Sequence, residues 1–238
     1  MWASTPATEL NILSSVQASP LKKRQLKSIV IRCREILSKA EIKECLGVLN
    51  SGGVMVIPTD TVYGIACNAF NFRAVQRVYG LKGRSYHKPL PIFLNSTHQL
   101  PLVAKEIPRE AGPLIKKYWP GPLTLIFKTL SLALVASGGR ETIAVRVPDH
   151  GVVKDILDKI KVPLAVTSAN ISGKKSFRTG KDVRKAFSDK VDLIIDAGRC
   201  RLGVESTIVD VTHYPFTVLR EGAISKANLL KCLQSAEC

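Results

Sequence analysis

Residues Val54 to Phe70 read VMVIPTDTVYGIACNAF, and this stretch decides the fold class. Its first four residues form an unbroken apolar run, which predicts a buried strand that ends at Pro58. The polar residues Thr59, Asp60 and Thr61 follow at once. In open sheets covered by helices, ligands usually bind at strand ends and in the loops that follow them. Taken alone, the stretch is more typical of a simple turn, and a ligand-binding corner of an α/β sheet is the alternative that the rest of the chain must support.

Helix and strand signals alternate along the rest of the chain. Ser38 with Glu41 forms a capping box before one helix, Asn71 caps a second, and Thr179 with Asp182 caps a third. About seven or eight short apolar strands are interleaved with about six such helices. This pattern predicts a mixed α/β (α+β) fold, in which helices cover a twisted sheet of parallel and antiparallel strands. The strands around Ile195 and Ile208 are joined by a short loop that contains glycine, so we expect them to pair antiparallel.

The chain is expected to form one domain over residues 29–238, since it shows no internal repeat and no second boundary. Residues 1–28 lack periodicity, are rich in serine and carry Glu9 as their only acid, which predicts a flexible basic tail. Organellar transit peptides also combine serine with few acids, so import into an organelle is an alternative to a cytoplasmic location.

Composition limits the class of protein. The chain has 238 residues, of which 45% are hydrophobic, so it can bury a substantial core. Its net charge of +16 favours polyanionic partners such as nucleotides, RNA or anionic surfaces, although charge can also serve solubility alone. The six cysteines form no C-x-x-C pair, so neither a zinc site nor a disulfide framework is predicted. No apolar stretch reaches the roughly 18 to 20 residues of a membrane-spanning helix, and none is predicted.

Two sequence segments carry cations that could bind an anion. In LKGRSYHKPL, Lys82, Arg84 and Lys88 lie close together without an acid. In an extended segment Lys82 and Arg84 would face the same side and could converge on a phosphate or a carboxylate, whereas a solvated basic loop is the alternative. In TIAVRVP, strand alternation places Thr142 and Arg146 on one face. A charge within an apolar strand needs either a ligand or a structural ion pair.

Polar groups also flank two further strands. Thr167-Ser168-Ala169-Asn170 follows an apolar strand, and Glu205-Ser206-Thr207 precedes another. Together with Thr59 to Thr61, they are suited to orienting a polar, anionic substrate. The chain contains no phosphate-loop, dinucleotide, nucleophile-elbow or zinc-protease motif. Catalysis is therefore expected to depend on positioning and electrostatic stabilisation.

Seven motifs occur in one order: PTDTVYG, KGR with KPL, WPGPLT, TIAVR with VP, SAN, ESTIVD and LREG. In this order they resemble the YrdC family of threonylcarbamoyl-AMP synthases, from about Ile42 to Arg220. The resemblance implies an enzyme that condenses L-threonine, bicarbonate or carbon dioxide, and ATP to threonylcarbamoyl-AMP and pyrophosphate. The product would be used to modify the adenosine next to the anticodon of tRNAs that read codons beginning with A.

The resemblance also implies roles for individual residues. The family's catalytic residues fall on Lys82, Arg84, Ser168 and Asn170. Its threonine contacts fall on Thr61, Arg146, Ser168 and Ser206. Its ATP contacts fall on Arg84, Lys88, Thr142, Asn170, Ser176 and Arg220.

The resemblance further implies Mg²⁺ bound with ATP, mainly through phosphates, and a downstream tRNA threonylcarbamoyl transferase as a partner. Lys88 stands where many archaeal members have asparagine, and Phe93 where they have histidine, so a histidine contact to threonine does not carry over. The chain ends soon after Cys232, so the resemblance is to the short form of the family, without the extra C-terminal domain.

Two other functions remain open on the sequence. A non-catalytic RNA-binding module would use a basic segment in which only Asp182 offsets Lys174, Lys175, Arg178, Lys181, Arg184 and Lys185. The same surface could bring tRNA to the enzyme. A carbamoyl-adenylating domain, like the one in hydrogenase maturation proteins, would require partner domains.

Overall fold

The computed structural model describes residues 27–86, 88–130, 136 and 138–235, and most of the tail predicted over residues 1–28 lies outside this part. The described strands are β1 (Ile29–Arg32), β2 (Met55–Ile57), β3 (Gly64–Asn68), β4 (Ile92–Phe93), β5 (Leu123–Lys128), β6 (Thr142–Arg146), β7 (Leu164–Ser168), β8 (Leu193–Asp196), β9 (Thr207–Asp210) and β10 (Thr217–Arg220). The described α-helices are α1 (Lys39–Asn50), α2 (Phe72–Lys82), α3 (Gly112–Tyr118), α4 (Gly151–Ile160), α5 (Gly180–Phe187) and α6 (Lys226–Gln234). Two short 3-10 helices cover Thr97–Leu102 and Arg109–Ala111.

The ten strands form one mixed sheet in the order β1-β8-β2-β3-β7-β4-β6-β5-β9-β10. The pairs β1–β8, β8–β2, β4–β6 and β5–β9 are parallel, and the other neighbours are antiparallel. The predicted mixed α/β fold is therefore confirmed.

The predicted antiparallel pairing of the strands around Ile195 and Ile208 is wrong. β8 lies between β1 and β2, whereas β9 lies between β5 and β10, near the other edge of the sheet. The hydrophobic part of β8, from Leu193 to Ile195, is buried throughout. Such a strand fits between two parallel neighbours with both faces covered, and the connecting loop then crosses the sheet.

Both faces of the sheet are buried by helices. Met55 and Ile57 of β2 pack with α1 and α4, while Val56 between them packs on the other side with α2. This alternation follows from the opposite directions of successive side chains along a strand.

Within the described residues no helix is both long and apolar enough to cross a membrane.

The predicted helix caps are confirmed. Ser38 accepts a hydrogen bond from the Glu41 amide, and Glu41 Oε2 accepts one at 2.8 Å from the Ser38 amide, which completes the capping box of α1. Asn71 caps α2 and Thr179 caps α5 through their side-chain oxygens. Local hydrogen bonds of this kind depend only on neighbouring residues, which is why the sequence predicts them well.

The turn after β10 packs tightly against the start of β9. A Cβ atom on Gly222 would lie 2.2 Å from the carbonyl oxygen of Glu205 and 2.7 Å from that of Ser206. The amide of Ala223 donates to the Glu205 carbonyl at 2.9 Å, and the amide of Gly222 donates to Thr207 Oγ1 at 3.0 Å. Only glycine allows this approach, which fixes the backbone of residues 205–207.

Replacing Gly222 with alanine should therefore destabilise the fold. We expect Gly222→Ala to lower the free energy of unfolding by about 1 to 3 kcal/mol, because the added methyl group overpacks the backbone of β9. Gly47→Ala in α1 is the matched control: a Cβ there meets nothing within 4 Å, so helix propensity should raise stability by about 0.5 to 1 kcal/mol. Urea denaturation measures both variants, and equal stabilities would contradict the close approach.

Candidate active site

A cavity of about 500 Å³ opens beside the central strands, and most of the predicted site residues line it. Those in its wall are Thr61, Arg84, Lys88, Thr142, Arg146, Ser168, Ser206 and Arg220. Lys82, Asn170 and Ser176 lie behind the wall and reach it through hydrogen bonds to residues that line it. The separate sequence motifs are therefore brought together at one site.

Arg146 forms a structural ion pair and also faces the cavity where a ligand could bind, so it combines the two roles that the sequence left open. As strand alternation predicts, Thr142, Ala144 and Arg146 all line the cavity. Arg146 is only 3% exposed, and its Nη2 donates to Asp60 Oδ1 at 2.5 Å. Its Nη1 donates to Thr61 Oγ1 at 2.9 Å, and its Nε donates to the carbonyl of Gly121 at 2.9 Å. Each Nη keeps a second hydrogen, so the ion pair leaves Arg146 able to bind a carboxylate.

Arg146 is therefore a paired cation with remaining donors. Burial lowers the pKa of its guanidinium, and the nearby Asp60 carboxylate opposes this shift. The ring of Phe93 lies against it, with 5.5 Å between the ring centroid and Cζ, a distance typical of a cation–π contact. Phe93 thus packs on the Arg146 guanidinium.

Lys82 lies in a compact network with Ser168 and Asn170. Its Nζ donates to the Ser168 carbonyl at 2.5 Å and to Asn170 Oδ1 at 2.6 Å. Ser168 Oγ donates to the same Asn170 oxygen at 2.7 Å. Lys82 is 1% exposed, and burial together with the charge of Arg84 lowers its pKa to about 8. Its hydrogen-bond partners are neutral oxygens, which orient the ammonium group without cancelling its charge.

The predicted extended geometry of Lys82 and Arg84 is wrong. Lys82 is the last residue of α2, and Gly83 follows in the left-handed conformation with φ of 56°. This helix end turns Lys82 towards Ser168 and Arg84 towards the cavity. Ser168 likewise belongs to β7 itself rather than to the loop after it.

Arg84 is held by the loop that carries it. Its Nε donates to the Lys88 carbonyl at 3.0 Å and its Nη2 to the Pro89 carbonyl at 3.1 Å. Arg84 and Lys88 both line the cavity. Burial lowers the pKa of Arg84. Arg84 and Lys88 of the basic segment therefore form part of the cavity wall, although Lys88 is also exposed to solvent.

The opposite side of the cavity is organised around Ser206. Its Oγ lies 2.8 Å from Thr124 Oγ1, and its carbonyl accepts hydrogen bonds from Arg220 Nη2 at 2.8 Å and Nε at 3.1 Å. Arg220 Nη1 donates to Glu205 Oε2 at 2.5 Å, and Ser176 Oγ donates to Glu205 Oε1 at 2.5 Å.

Four further residues belong to this site although the motif pattern gave none of them a specific role: Asp60, Thr124, Arg140 and Glu205. Asp60, Thr124 and Glu205 lie within PTDTVYG, WPGPLT and ESTIVD, so their motif positions were the available signal. Arg140 lies in none of the motifs, and only the tertiary structure brings it to the cavity.

The balance of charge in the wall favours an anionic ligand. The cations that line the cavity are Arg84, Lys88, Arg140, Arg146 and Arg220, whereas the acids are Glu205 and Asp210. Among the described residues no group of three or more His, Cys, Asp or Glu could hold a metal ion. The arrangement can orient a polyanion and stabilise charge that develops on it.

Comparison with known proteins supports this interpretation. The family described as Sua5_yciO_yrdC, telomere recombination, matches residues 47–222. The threonylcarbamoyl-AMP synthase of Pyrococcus abyssi is 40% identical over 207 residues, which are 87% of this chain and 61% of that protein. That of Bacillus subtilis is 35% identical over 191 residues, or 79% of this chain and 55% of that protein. The chain therefore spans about 55 to 61% of the length of these relatives.

A solved structure extends the similarity to the fold. The crystal structure of P. abyssi Sua5 complexed with L-threonine matches with a TM-score of 0.83 and 40% identity. The match covers 86% of this chain and 61% of that chain.

Removing Arg146 should strongly destabilise the protein, because Asp60 would remain as an unpaired buried charge. We expect Arg146→Met to cost about 3 to 5 kcal/mol of unfolding free energy. The double variant Asp60→Leu with Arg146→Met should recover much of this loss, since both charges are then removed. Urea denaturation of the two variants checks this, and equal losses would show that the ion pair does not determine stability.

The buried Lys82 predicts a specific dependence of stability on pH. Its pKa is about 8 in the folded protein, against 10.5 for an ordinary lysine, so the unfolded chain binds more protons between these values. Stability should therefore rise with pH in this window. We expect the unfolding free energy of the wild type, relative to Lys82→Met, to increase by on the order of 2 kcal/mol from pH 7.5 to 9.5. A flat or falling difference in urea denaturation would contradict the lowered pKa.

Proposed function

The chain belongs to the Sua5_yciO_yrdC family, and we propose that it is an L-threonylcarbamoyladenylate synthase, a nucleotidyltransferase. It would condense L-threonine, bicarbonate or carbon dioxide, and ATP to threonylcarbamoyl-AMP and pyrophosphate. The observation that carries this proposal is the convergence of the predicted threonine and ATP contacts on one cation-rich cavity. Relatives that bear the name threonylcarbamoyl-AMP synthase support it.

The neutral and paired groups of the cavity suit threonine. Threonine is a zwitterion, so its site needs donors for the carboxylate without a strong repulsion of the ammonium. Arg146 retains free N–H donors while Asp60 balances its charge. Thr61, Ser168 and Ser206 place hydroxyl groups in the same wall, where they can bind the amine and side-chain hydroxyl of threonine.

The cations other than Arg146 suit the triphosphate of ATP. Arg84 and Lys88 form one wall and Arg220 the other, with Thr142 on β6 in the cavity lining. Arginine offers a planar pair of donors that matches phosphate oxygens, and lysine adds a compact charge. Asn170 and Ser176 would complete the nucleotide contacts from behind the wall.

The proposed reaction requires no protein nucleophile. The threonine ammonium loses one proton to solvent, and the resulting amine adds to the carbon of carbon dioxide, where the electron pair of one C=O bond moves to oxygen. Loss of a second proton from the nitrogen gives the N-carboxylate. An oxygen of this carbamate then attacks the α-phosphorus of ATP, and the bond from the α-phosphorus to the bridging oxygen of pyrophosphate breaks. Lys82 and Arg84 would stabilise the negative charge that develops on the phosphates. Holding three small substrates in line can lower the barrier by up to roughly 7 to 11 kcal/mol.

Mg²⁺ fits this site as a companion of ATP. The described residues offer no cluster of acidic ligands, so the ion would be held mainly by the phosphate oxygens of ATP. It would supply neutralisation of the triphosphate charge.

The product of the proposed reaction is a reactive mixed anhydride, so we propose a tRNA threonylcarbamoyl transferase as the partner that consumes it. The target would be the adenosine next to the anticodon of tRNAs that read codons beginning with A. Direct contact with tRNA would use the exposed cations of the α5 region, namely Lys174, Lys175, Arg178, Lys181 and Lys185. Arg184 is paired with Asp196 at 2.7 Å and contributes less. These roles suit a cytoplasmic enzyme.

The first test is pyrophosphate release from ATP and bicarbonate with and without L-threonine, with mass spectrometry for threonylcarbamoyl-AMP. We expect release that depends on threonine and a product of that mass. Arg84→Ala should lower kcat/KM on the order of 100-fold, because it removes a donor to the reacting phosphates. Arg109→Ala removes an exposed arginine away from the cavity lining and should leave turnover unchanged. Salt-dependent tRNA binding by folded protein without any such release would favour the RNA-binding module instead.

A further inference from the structure

Glu205 occupies an unusual position in the cavity wall. Its two carboxylate oxygens accept hydrogen bonds from Ser176 Oγ and from Arg220 Nη1, both at 2.5 Å. Glu205 lines the cavity, whereas Ser176 does not. The carboxylate thus lies between the cavity and the hydroxyl group of Ser176. It satisfies the donors that a phosphate of a bound nucleotide would use.

The structure does not require Glu205 to hold Arg220 in place. The Nε and Nη2 atoms of Arg220 both donate to the carbonyl oxygen of Ser206, at 3.1 and 2.8 Å. The backbone that carries this carbonyl is itself fixed, because Ala223 donates to the Glu205 carbonyl and Gly222 donates to Thr207 Oγ1. The guanidinium group is therefore anchored without the Glu205 carboxylate.

The Glu205 side chain is also free to leave at modest cost. The side chains of Glu205 and Arg220 are 34% and 41% exposed, so their attraction is screened by water. Ion pairs with this degree of exposure contribute about 0 to 1 kcal/mol. A rotation of the side chain would release both donors while the anchored backbone stays in place.

The charges around Glu205 give it a role in the cavity. Burial is the largest cause of the lowered pKa of Arg84. The charge of Arg220 lowers this pKa further, whereas the charge of Glu205 raises it. Glu205 likewise raises the pKa of Lys82 against the effects of burial and Arg84. Its carboxylate therefore stabilises a cluster of cations that repel one another. A bound triphosphate would stabilise the same cluster and would be repelled by Glu205.

We propose that the Glu205 carboxylate competes with the nucleotide phosphates for the hydrogen-bond donors of Arg220 and Ser176. The phosphates must displace this carboxylate in order to bind. This inference rests on the proposed function for the identity of the anion as ATP. When the Glu205 carboxylate is displaced, a phosphate group takes its place as the acceptor of the hydrogen bonds from Arg220 and Ser176. The hydroxyl group of Ser176 then points towards the ligand. Glu205 thus offsets part of the charge of the cationic site and limits its affinity for polyphosphate.

The test compares Glu205→Gln with Asp210→Asn by isothermal titration calorimetry. Both substitutions remove one negative charge from the cavity lining, but the hydrogen bonds of Asp210 go to Thr212 rather than to a cation of the site. The probes are ATP and inorganic tripolyphosphate. We expect Glu205→Gln to bind both probes about fivefold more tightly than the wild type, since an exposed ion pair no longer competes. Asp210→Asn should give a clearly smaller gain.

Each outcome bears on the proposal. Unchanged or weaker tripolyphosphate binding by Glu205→Gln would overturn it, because a residue that merely positions Arg220 would weaken binding when removed. An equal gain in Asp210→Asn would also overturn it, since net charge alone would then explain the effect. Absence of tripolyphosphate binding in all three proteins would overturn it as well. A gain for tripolyphosphate without threonine-dependent pyrophosphate release would support the competitor role while the proposed function fails.

Discussion

The buried ion pair between Asp60 and Arg146 connects the parts on which the rest of the site depends. Asp60 lies in the loop after β2, whereas Arg146 ends β6, and β3, β7 and β4 separate these strands in the sheet. The same guanidinium binds Thr61 and the carbonyl of Gly121. Burying two charges is costly unless their hydrogen bonds are satisfied, and within the described residues Asp60 Oδ2 has no partner. The interaction is thus poorly explained by stability alone and is consistent with a role in ligand binding.

The remaining cations of the site are held in a different way. Lys82 binds the Ser168 carbonyl and Asn170, Arg84 binds the carbonyls of its own loop, and Arg220 binds the carbonyl of Ser206. Neutral oxygens orient Lys82 and Arg84 and leave their charge available, whereas Asp60 pairs with Arg146 and the more exposed Glu205 pairs with Arg220. The cavity therefore has a charge-balanced part, suited to a zwitterionic amino acid, and a positively charged part, suited to a triphosphate. Such a preorganised site can favour reaction through orientation and electrostatics.

Whether a feature of the structure could be predicted from the sequence depends on how far apart its interacting residues lie along the chain. The caps at Ser38, Asn71 and Thr179 were predictable because their partners lie three residues away. The strands were located by their apolar runs, but the neighbours of β8 and β9 were not, because apolar runs do not specify which strands pair. The geometry of Lys82 and Arg84 was missed for a related reason. Lys82 is in the last turn of α2 rather than in an extended segment, and the left-handed Gly83 after it determines where both side chains point.

The mixed α/β class, the starts of the helices and the family motifs could be predicted from the amino-acid sequence, because each depends on residues close together in the chain. The pairing of Arg146 with Asp60, the burial of Lys82 among neutral oxygens, and the contacts of Glu205 with Ser176 and Arg220 are seen only in the folded protein. These contacts join residues far apart in sequence. Their distances, burial and resulting pKa values depend on the order of strands in the sheet and on the paths of the loops, which short-range patterns do not encode.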